Sequence, residues 1–130
     1  MTNSRAKGKR GELEAALLLT QLGLKARRSA QYCGAEGDAD LKVDANLHVE
    51  VKLQEQVHPY KWIEQTIRDS KKTGRLPLVL CRRTRSPWLV IMLASDWVPL
   101  SKEVTRAILQ AQDADPGYPA QGSEQVRAPA

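Results

Sequence analysis

The residues best suited to chemistry lie in one short alternating segment, Leu47-His48-Val49-Glu50-Val51-Lys52-Leu53. In a β-strand, residues two apart share a face, so Glu50 and Lys52 would stand side by side while the aliphatic residues point the other way. An acidic stretch, residues 37–41, lies a few positions upstream. A carboxylate and an ammonium in this arrangement suit a site that holds a metal ion and activates water beside a phosphate.

The upstream stretch is predicted to be the partner strand of a hairpin, with Asp44-Ala45-Asn46 as a three-residue loop. Counting back from this loop sets Leu41 opposite Val49 and Asp40 opposite Glu50. A two-residue loop would mix apolar and charged residues on both faces, which a half-buried sheet disfavours. The three-residue loop brings two carboxylates to a Cβ separation of roughly 4.5–5.5 Å, where they repel unless a bound divalent cation compensates. An ordinary solvated hairpin whose charges face water is the alternative.

Charge is distributed unevenly along the 130 residues, which carry a formal net charge of +5. Residues 1–28 have a net charge of +5 and residues 68–85 one of +6, whereas residues 36–56 between them have −4. Basic surfaces bind phosphates and an acidic centre binds a cation, so this pattern indicates a metal-dependent enzyme that acts on a polyanion. For any single Lys or Arg, a solubilising surface position is the simpler interpretation.

Other features of the sequence argue against several classes. Cys33 and Cys81 are far apart and lack metal-binding spacing, so free thiols in a reducing compartment are expected. The chain has no apolar stretch of membrane-spanning length and does not open on a signal peptide, which predicts a cytosolic protein. It also lacks a Gly-rich phosphate loop and a Ser/His/Asp arrangement.

A mixed order of helices and strands must position the chemical residues. The expected elements are a helix over 10–22, a strand over 24–32, hairpin strands over 38–43 and 47–54, a helix over 59–72, strands over 78–82 and 88–93, and a helix over 102–112. Residues 1–112 are expected to form a single domain, and residues 113–130, which hold almost no large apolar side chains, a flexible tail.

This element order, with Asp40 followed by Glu50-Val51-Lys52, resembles the PD-(D/E)XK nuclease superfamily. Within it the chain is most similar to the archaeal-type Holliday junction resolvases and their phage and bacterial relatives, over residues 7–97. Ala39 departs from the pattern, because the family usually has Pro before its Asp. The Glu-X-Lys triplet matches outright, although three residues with one free position are a weak signal alone.

Two further segments carry the resemblance. Residues 7–14, Lys-Gly-Lys-Arg-Gly-Glu-Leu-Glu, resemble the opening Lys-Gly and the acid on the first helix of the family. Arg28-Ser29 resembles an Arg-Ser pair that family members place near DNA on their first strand. With Asp40 and the element order in register, these segments identify the chain as a member of the superfamily.

The resemblance implies an α/β fold with a restriction-endonuclease-like core, in which helices flank a central mixed five-stranded sheet. It also implies a Mg²⁺-dependent endonuclease, with Mn²⁺ able to substitute, that cuts branched DNA in a bacterial, archaeal or phage-infected cell. A homodimer is implied because cutting both strands of a junction requires two sites. Two alternatives stay open: a structure-tolerant nuclease or nickase, and a catalytically inactive DNA-binding module of the same fold.

Residue roles follow from the resemblance. The metal ligands it implies are Glu12, Asp40, Glu50 and the carbonyl of Val51. Lys52 resembles the lysine that orients or deprotonates the attacking water and stabilises the negative charge that develops on phosphorus. Gln65 resembles a polar helix residue that family members place near the site. The residues expected to contact DNA are Lys7, Lys9, Arg10, Arg28, Ser29, Arg82, Arg83 and Arg85.

Several residues compete for these roles. Glu14 competes with Glu12, but Glu12 begins an apolar stripe on its helix and should face the sheet. Asp38 shares a face with Asp40 and is either an outer acid, a salt-bridge partner of Lys52, or the ligand itself. His48 lies on the catalytic face, where a satisfied or exposed histidine is expected rather than a general base.

Overall fold

The computed structural model describes residues 4–29 and 39–117, arranged as three helices and one mixed sheet. The helices are α1 (Ser4–Gln21), α2 (Pro59–Ser70) and α3 (Trp97–Ala114). The strands are β1 (Ala26–Arg28), β2 (Leu41–Val43), β3 (Leu47–Leu53), β4 (Leu76–Arg82) and β5 (Leu89–Ile91). They lie side by side in chain order, and β3 and β4 are parallel while the other neighbours are antiparallel. The predicted α/β fold with a mixed five-stranded sheet is confirmed.

The β2–β3 hairpin has the predicted three-residue loop, with Leu41 paired to Val49. The regular ladder ends there, so the predicted direct pairing of Asp40 with Glu50 is not formed, and the N–H of Asp40 instead donates to the carbonyl of Val49 at 3.1 Å. Since side chains alternate along a strand, this register directs Leu47 and Val49 into the core and turns Glu50 to the opposite face.

Helix α2 makes the crossover that two parallel strands require. It begins at Pro59, as predicted, because proline at the first helical position gives up only an N–H that has no partner in the helix. The crossover sets Glu50 beside Val79 and Lys52 beside Cys81 on β4.

Each face of the sheet has its own apolar core. Leu78 and Leu80 of β4 face the larger core, which α1 and α3 cover with Ala15, Leu19, Leu100 and Ala107. On the other face, Val79 and Cys81 pack under Trp62 and Ile63 of α2. Both faces of β4 are therefore buried, as its nearly continuous apolar sequence predicts.

Two helices are longer than the sequence pattern indicates. Helix α1 begins at Ser4 rather than at residue 10, because its first turns are exposed and carry no apolar stripe for a periodicity argument to detect. Helix α3 begins at Trp97 rather than at residue 102, because Pro99 lies in the first turn, where its missing N–H is tolerated. It also continues through Asp113 to Ala114, into the segment predicted as tail.

Other predictions differ in length or lie outside the described residues. The strands predicted over 24–32 and 88–93 are shorter, as β1 and β5. Asp38, Cys33 and residues 118–130 are outside the described ranges. Among the described helices, none is both long enough and apolar enough to cross a membrane.

Candidate active site

Asp40 forms hydrogen bonds with β3 at the residues on either side of Glu50. Its N–H donates to the carbonyl of Val49 at 3.1 Å, and its Oδ2 accepts a hydrogen bond from the N–H of Val51 at 2.8 Å. The two contacts hold its carboxyl group against that of Glu50, with which it shares a hydrogen bond. The predicted convergence of these two side chains on one face is observed.

The pKa of Asp40 is raised from 3.8 to about 8. Burial is the main cause, followed by the hydrogen bond to Glu50, the negative charge of Glu50, and that of Glu12. The hydrogen bond from Val51 acts in the opposite direction, because it favours the carboxylate. At neutral pH this pair therefore requires compensation for its second negative charge, from a proton or from a cation.

His48, two residues before Glu50 on β3, contacts the side chain of Glu50. Its side chain is buried, and its Nε2 lies 2.9 Å from Oε1 of Glu50. Residues two apart on a strand share a face, so the sequence held the signal for this contact, but the contact itself was not predicted. His48 is the satisfied histidine of the two alternatives, and its contact orients the carboxylate of Glu50.

Glu12 reaches the site from α1, as expected, and is buried. The helix comes close to β3 at Gly11, where an added Cβ would stand 3.2 Å from Cβ of Leu53. The carboxylate of Glu12 lies 3.5 Å from Nε of Arg28, and its charge acts on Asp40. Two predicted functional residues, Glu12 and Arg28, thus lie together at the edge of the carboxylate pair.

Glu14, the competitor of Glu12, lies in a different environment. It binds Arg82, whose Nη2 and Nε lie 2.6 Å and 3.1 Å from its Oε2. The same guanidinium lies over the ring of Trp88, 5.5 Å from its centroid. Arg82, predicted to contact DNA, is therefore occupied by neighbours of its own chain, whereas Arg83 and Arg85 are exposed in the following turn.

The remaining predicted residues fall into two groups. Lys52 is half-buried and, with Lys7, lines a groove of about 310 Å³ between α1 and the end of β3. Ser29 is used structurally, since its hydroxyl donates to the carbonyl of Ala39 at 2.7 Å and so holds the residue before Asp40. Gln65 is exposed on α2, while its neighbour Thr66 faces the sheet. Lys9 and Arg10 are exposed on the first turns of α1.

The oxygen atoms at this site are of the kind that bind a hard divalent cation, although the side chains are not grouped around one point. Within residues 4–29 and 39–117, no three His, Cys, Asp or Glu side chains are grouped tightly enough to hold a metal ion as they stand. Asp40 and Glu50 converge, and the Val51 N–H and carbonyl leave the strand on the same side, toward Asp40. Carboxylate and carbonyl oxygens with excess negative charge are what Mg²⁺ and Mn²⁺ prefer.

Comparison with known proteins identifies the family to which the chain belongs. The model of a family described as "Phage putative PDDEXK endonuclease" matches residues 3–116. The 1.6 Å structure of Hjc, a Holliday junction resolvase from the archaeal hyperthermophile Archaeoglobus fulgidus, is similar with a TM-score of 0.52 and 20% identity, over 65% of this chain and 74% of that chain. At that identity the likeness shows the fold, and the search of curated proteins found no match. Because the family match spans α1, the whole sheet and the Asp40, Glu50 and Lys52 positions, the chain belongs to the phage PDDEXK endonuclease family.

Proposed function

We propose that this nuclease hydrolyses DNA phosphodiester bonds at the Asp40–Glu50 pair with the help of a divalent cation. The carrying observation is the convergence of two carboxyl groups at a buried position, where burial, followed by the hydrogen bond and the charge of Glu50, raises the pKa of Asp40 to about 8. Asp40, Glu50 and the carbonyl of Val51 would hold the cation, and Glu12 would complete the set. When bound, Mg²⁺ or Mn²⁺ supplies Lewis acidity toward a phosphate oxygen and a more acidic water.

The protein's own residues supply the rest of the mechanism. Lys52, on the same face as Glu50, orients or deprotonates the attacking water and balances the negative charge that develops on phosphorus. His48 holds Glu50 in one orientation through the 2.9 Å contact. Arg28, which lies beside Glu12, would contact a phosphate at the edge of the site. Gln65 retains its proposed role only if DNA approaches from the side of α2 on which it is exposed.

DNA would be held by basic residues around the site. The exposed members of the proposed set are Lys9 and Arg10 on the first turns of α1 and Arg83 and Arg85 in the β4–β5 turn, and Lys7 on α1 is half-buried. The turn is held by Glu55, which accepts a hydrogen bond from the N–H of Thr84 at 3.0 Å. The proposed role of Arg82 is to support this turn, because Glu14 and Trp88 hold its guanidinium.

Branched DNA is the proposed substrate, and a homodimer the proposed active form. The support is the similarity of fold to a Holliday junction resolvase, together with the two active sites that cutting both strands of a junction needs. A structure-tolerant nuclease or nickase is the second candidate, and an inactive DNA-binding module the third. The proposed setting is the cytoplasm of a bacterial, archaeal or phage-infected cell.

One experiment separates these candidates. A four-way junction, a linear duplex and a single strand of related sequence are incubated with the protein in Mg²⁺, in Mn²⁺ and in EDTA, with Asp40→Asn as the matched control. Symmetrical cleavage of the junction alone, in metal only, supports the resolvase reading. Equal cleavage of all substrates supports the tolerant nuclease, and binding without cleavage in either metal overturns the catalytic proposal.

A further inference from the structure

Among the described residues, a helix covers only part of the width of the sheet face that carries Glu50. Helix α2 packs its buried side chains, Trp62 and Ile63, against Val79 and Cys81 of β4. On the same face, the side chains of Arg27 on β1 and Lys42 on β2 are exposed. Their neighbours along the strands, among them Leu41 and Val43, point into the core on the other face.

Arg27 and Lys42 are directly opposite each other in the β1–β2 ladder. Like charges at directly opposite positions destabilise a sheet, because their side chains start roughly 4.5–5.5 Å apart. In the part of the chain that the structure describes, no carboxylate lies within ion-pair distance of either side chain. The repulsion between these two cations is therefore not offset by a neighbouring carboxylate there.

The two residues belong to a basic groove of about 470 Å³. Its lining residues are Lys25, Ala26, Arg27, Lys42, Val43, Asp44 and Arg75. Four cationic side chains and one carboxylate give the groove a positive field. A groove of this charge between exposed strand residues is complementary to a phosphate backbone.

Two lining residues of the groove, Arg27 and Lys42, lie on the same face of the sheet as the carboxylate pair. Leu41 pairs with Val49, so alternation puts Lys42 on the face of His48 and Glu50. Lys42 is thus one strand away from Glu50 and close to it along the sheet. A duplex whose scissile phosphate reached Glu50 would lay its neighbouring phosphates over the part of this face that the described helices leave open.

We propose that Arg27, Lys42 and Arg75 form a second phosphate-binding surface, which holds the DNA backbone beside the cleavage site. This inference rests on the proposed function, which makes DNA the polyanion that binds here. Phosphate bound between Arg27 and Lys42 removes the repulsion that the ladder imposes on them. Lys25 lines the same groove and adds to its positive field.

The salt dependence of DNA binding tests this surface. The affinity of a labelled linear duplex is measured in EDTA over a range of salt concentrations, for the wild type and for Arg27→Gln/Lys42→Gln. Each lost phosphate contact makes the plot of log K against log salt less steep by about 0.9. The slope of the double variant should therefore be shallower than that of the wild type by about 1.8. Lys102→Gln, an exposed lysine on α3, serves as the control and should leave the slope unchanged.

A second readout does not depend on DNA. Without ligand at low salt, Arg27→Gln should raise the melting temperature, because it removes one of two opposed cations, and inorganic pyrophosphate should stabilise the wild type more than this variant. A wild-type slope in the double variant, with cleavage intact, overturns the surface and leaves the nuclease proposal standing. A reduced slope supports the surface even if Asp40→Asn still cleaves DNA and the proposed catalytic site fails.

Discussion

The backbone N–H of Val51 donates a 2.8 Å hydrogen bond to Oδ2 of Asp40, which fastens the end of β2 to the residue after Glu50. Because Asp40 also donates its own N–H to Val49, its carboxyl group is held between two points of β3 and faces Glu50. This relationship makes two distant positions in the sequence into one site. Asp40 therefore has a structural role, as the acceptor of this hydrogen bond, that does not depend on its negative charge.

Asp40→Asn and Glu50→Gln should abolish cleavage while leaving DNA binding intact or slightly stronger. The Asn side chain still accepts the Val51 hydrogen bond, so the fold is kept, but a metal-binding charge is lost and repulsion toward phosphate is reduced. Activity should fall by at least about 100-fold, since even residues that only support a ligand have effects of that order. Asp113→Asn on exposed α3 is the control. Activity within a few-fold of wild type in either variant would falsify the site.

The metal-free protein should lose stability as the pH rises from about 4 to about 8. In this range Asp40, with its pKa raised from 3.8 to about 8, is protonated in the folded state and ionised in the unfolded state. The folded state then binds more protons, so the free energy of unfolding decreases with rising pH. Glu103, whose pKa is lowered from 4.5 to about 2, acts in the opposite sense between these two pH values, mostly below this range.

Thermal unfolding in EDTA at several pH values checks this trend. Asp40→Asn should flatten the curve between pH 4 and 8 and should be more stable than the wild type near pH 8. Mg²⁺ or Mn²⁺ at neutral pH should raise the melting temperature of the wild type and have little effect on the variant. Equal pH dependence in the two proteins would contradict the buried carboxyl pair.

His48→Leu should weaken cleavage at limiting Mg²⁺ by about 10–100-fold, the loss found when a support of a metal ligand is removed. The buried ring holds Glu50 through a 2.9 Å contact, so without it the carboxylate is less well oriented. Raising the Mg²⁺ concentration should recover part of the activity, because the defect lies in metal affinity. The exposed His58→Leu is the matched control. A loss that is independent of metal concentration would assign His48 a different role.

Gly11→Ala and Gly8→Ala should change stability in opposite directions. At Gly8 an added Cβ meets open space, so alanine should stabilise α1 by about 0.5–1 kcal/mol. At Gly11 the Cβ would stand 3.2 Å from Cβ of Leu53, an atom too near the backbone to move aside, and overpacking of this kind costs about 1–3 kcal/mol. Urea unfolding measures both, and cleavage by Gly11→Ala should also fall, because α1 carries Glu12. Equal stabilisation by both changes would show that α1 does not press on β3.

The three arginines of the β4–β5 connection should separate into two classes. Arg82→Gln should lower stability by about 1 kcal/mol, because its ion pair with Glu14 is only partly exposed and its guanidinium lies over Trp88. Arg83→Gln/Arg85→Gln should leave stability unchanged and reduce the salt slope of DNA binding by about 1.8. Melting temperature and salt titration of both variants provide the comparison. A larger change in the salt slope of DNA binding for Arg82→Gln than for Arg83→Gln/Arg85→Gln would reverse these assignments.

Local patterns in the sequence determined much of the site. Alternation over residues 47–53 and a three-residue loop were sufficient to predict the Leu41–Val49 pairing, because a slip by one residue would put charges in the core. The apolar stripe that follows Glu12 predicted that it, rather than Glu14, faces the sheet. Pro59 marked the start of α2. Each of these inferences depends on residues that are neighbours along the chain.

Only the tertiary structure decided which charged residues are held inside the protein and which are exposed. Arg82 meets Glu14 across 68 positions of sequence, so no local pattern could show that its guanidinium is occupied. The packing of α2 over β4 and not over β1 leaves Arg27 and Lys42 exposed. The physical reason is that the sequence sets the faces of each element, whereas the free energy of packing decides which face another element covers.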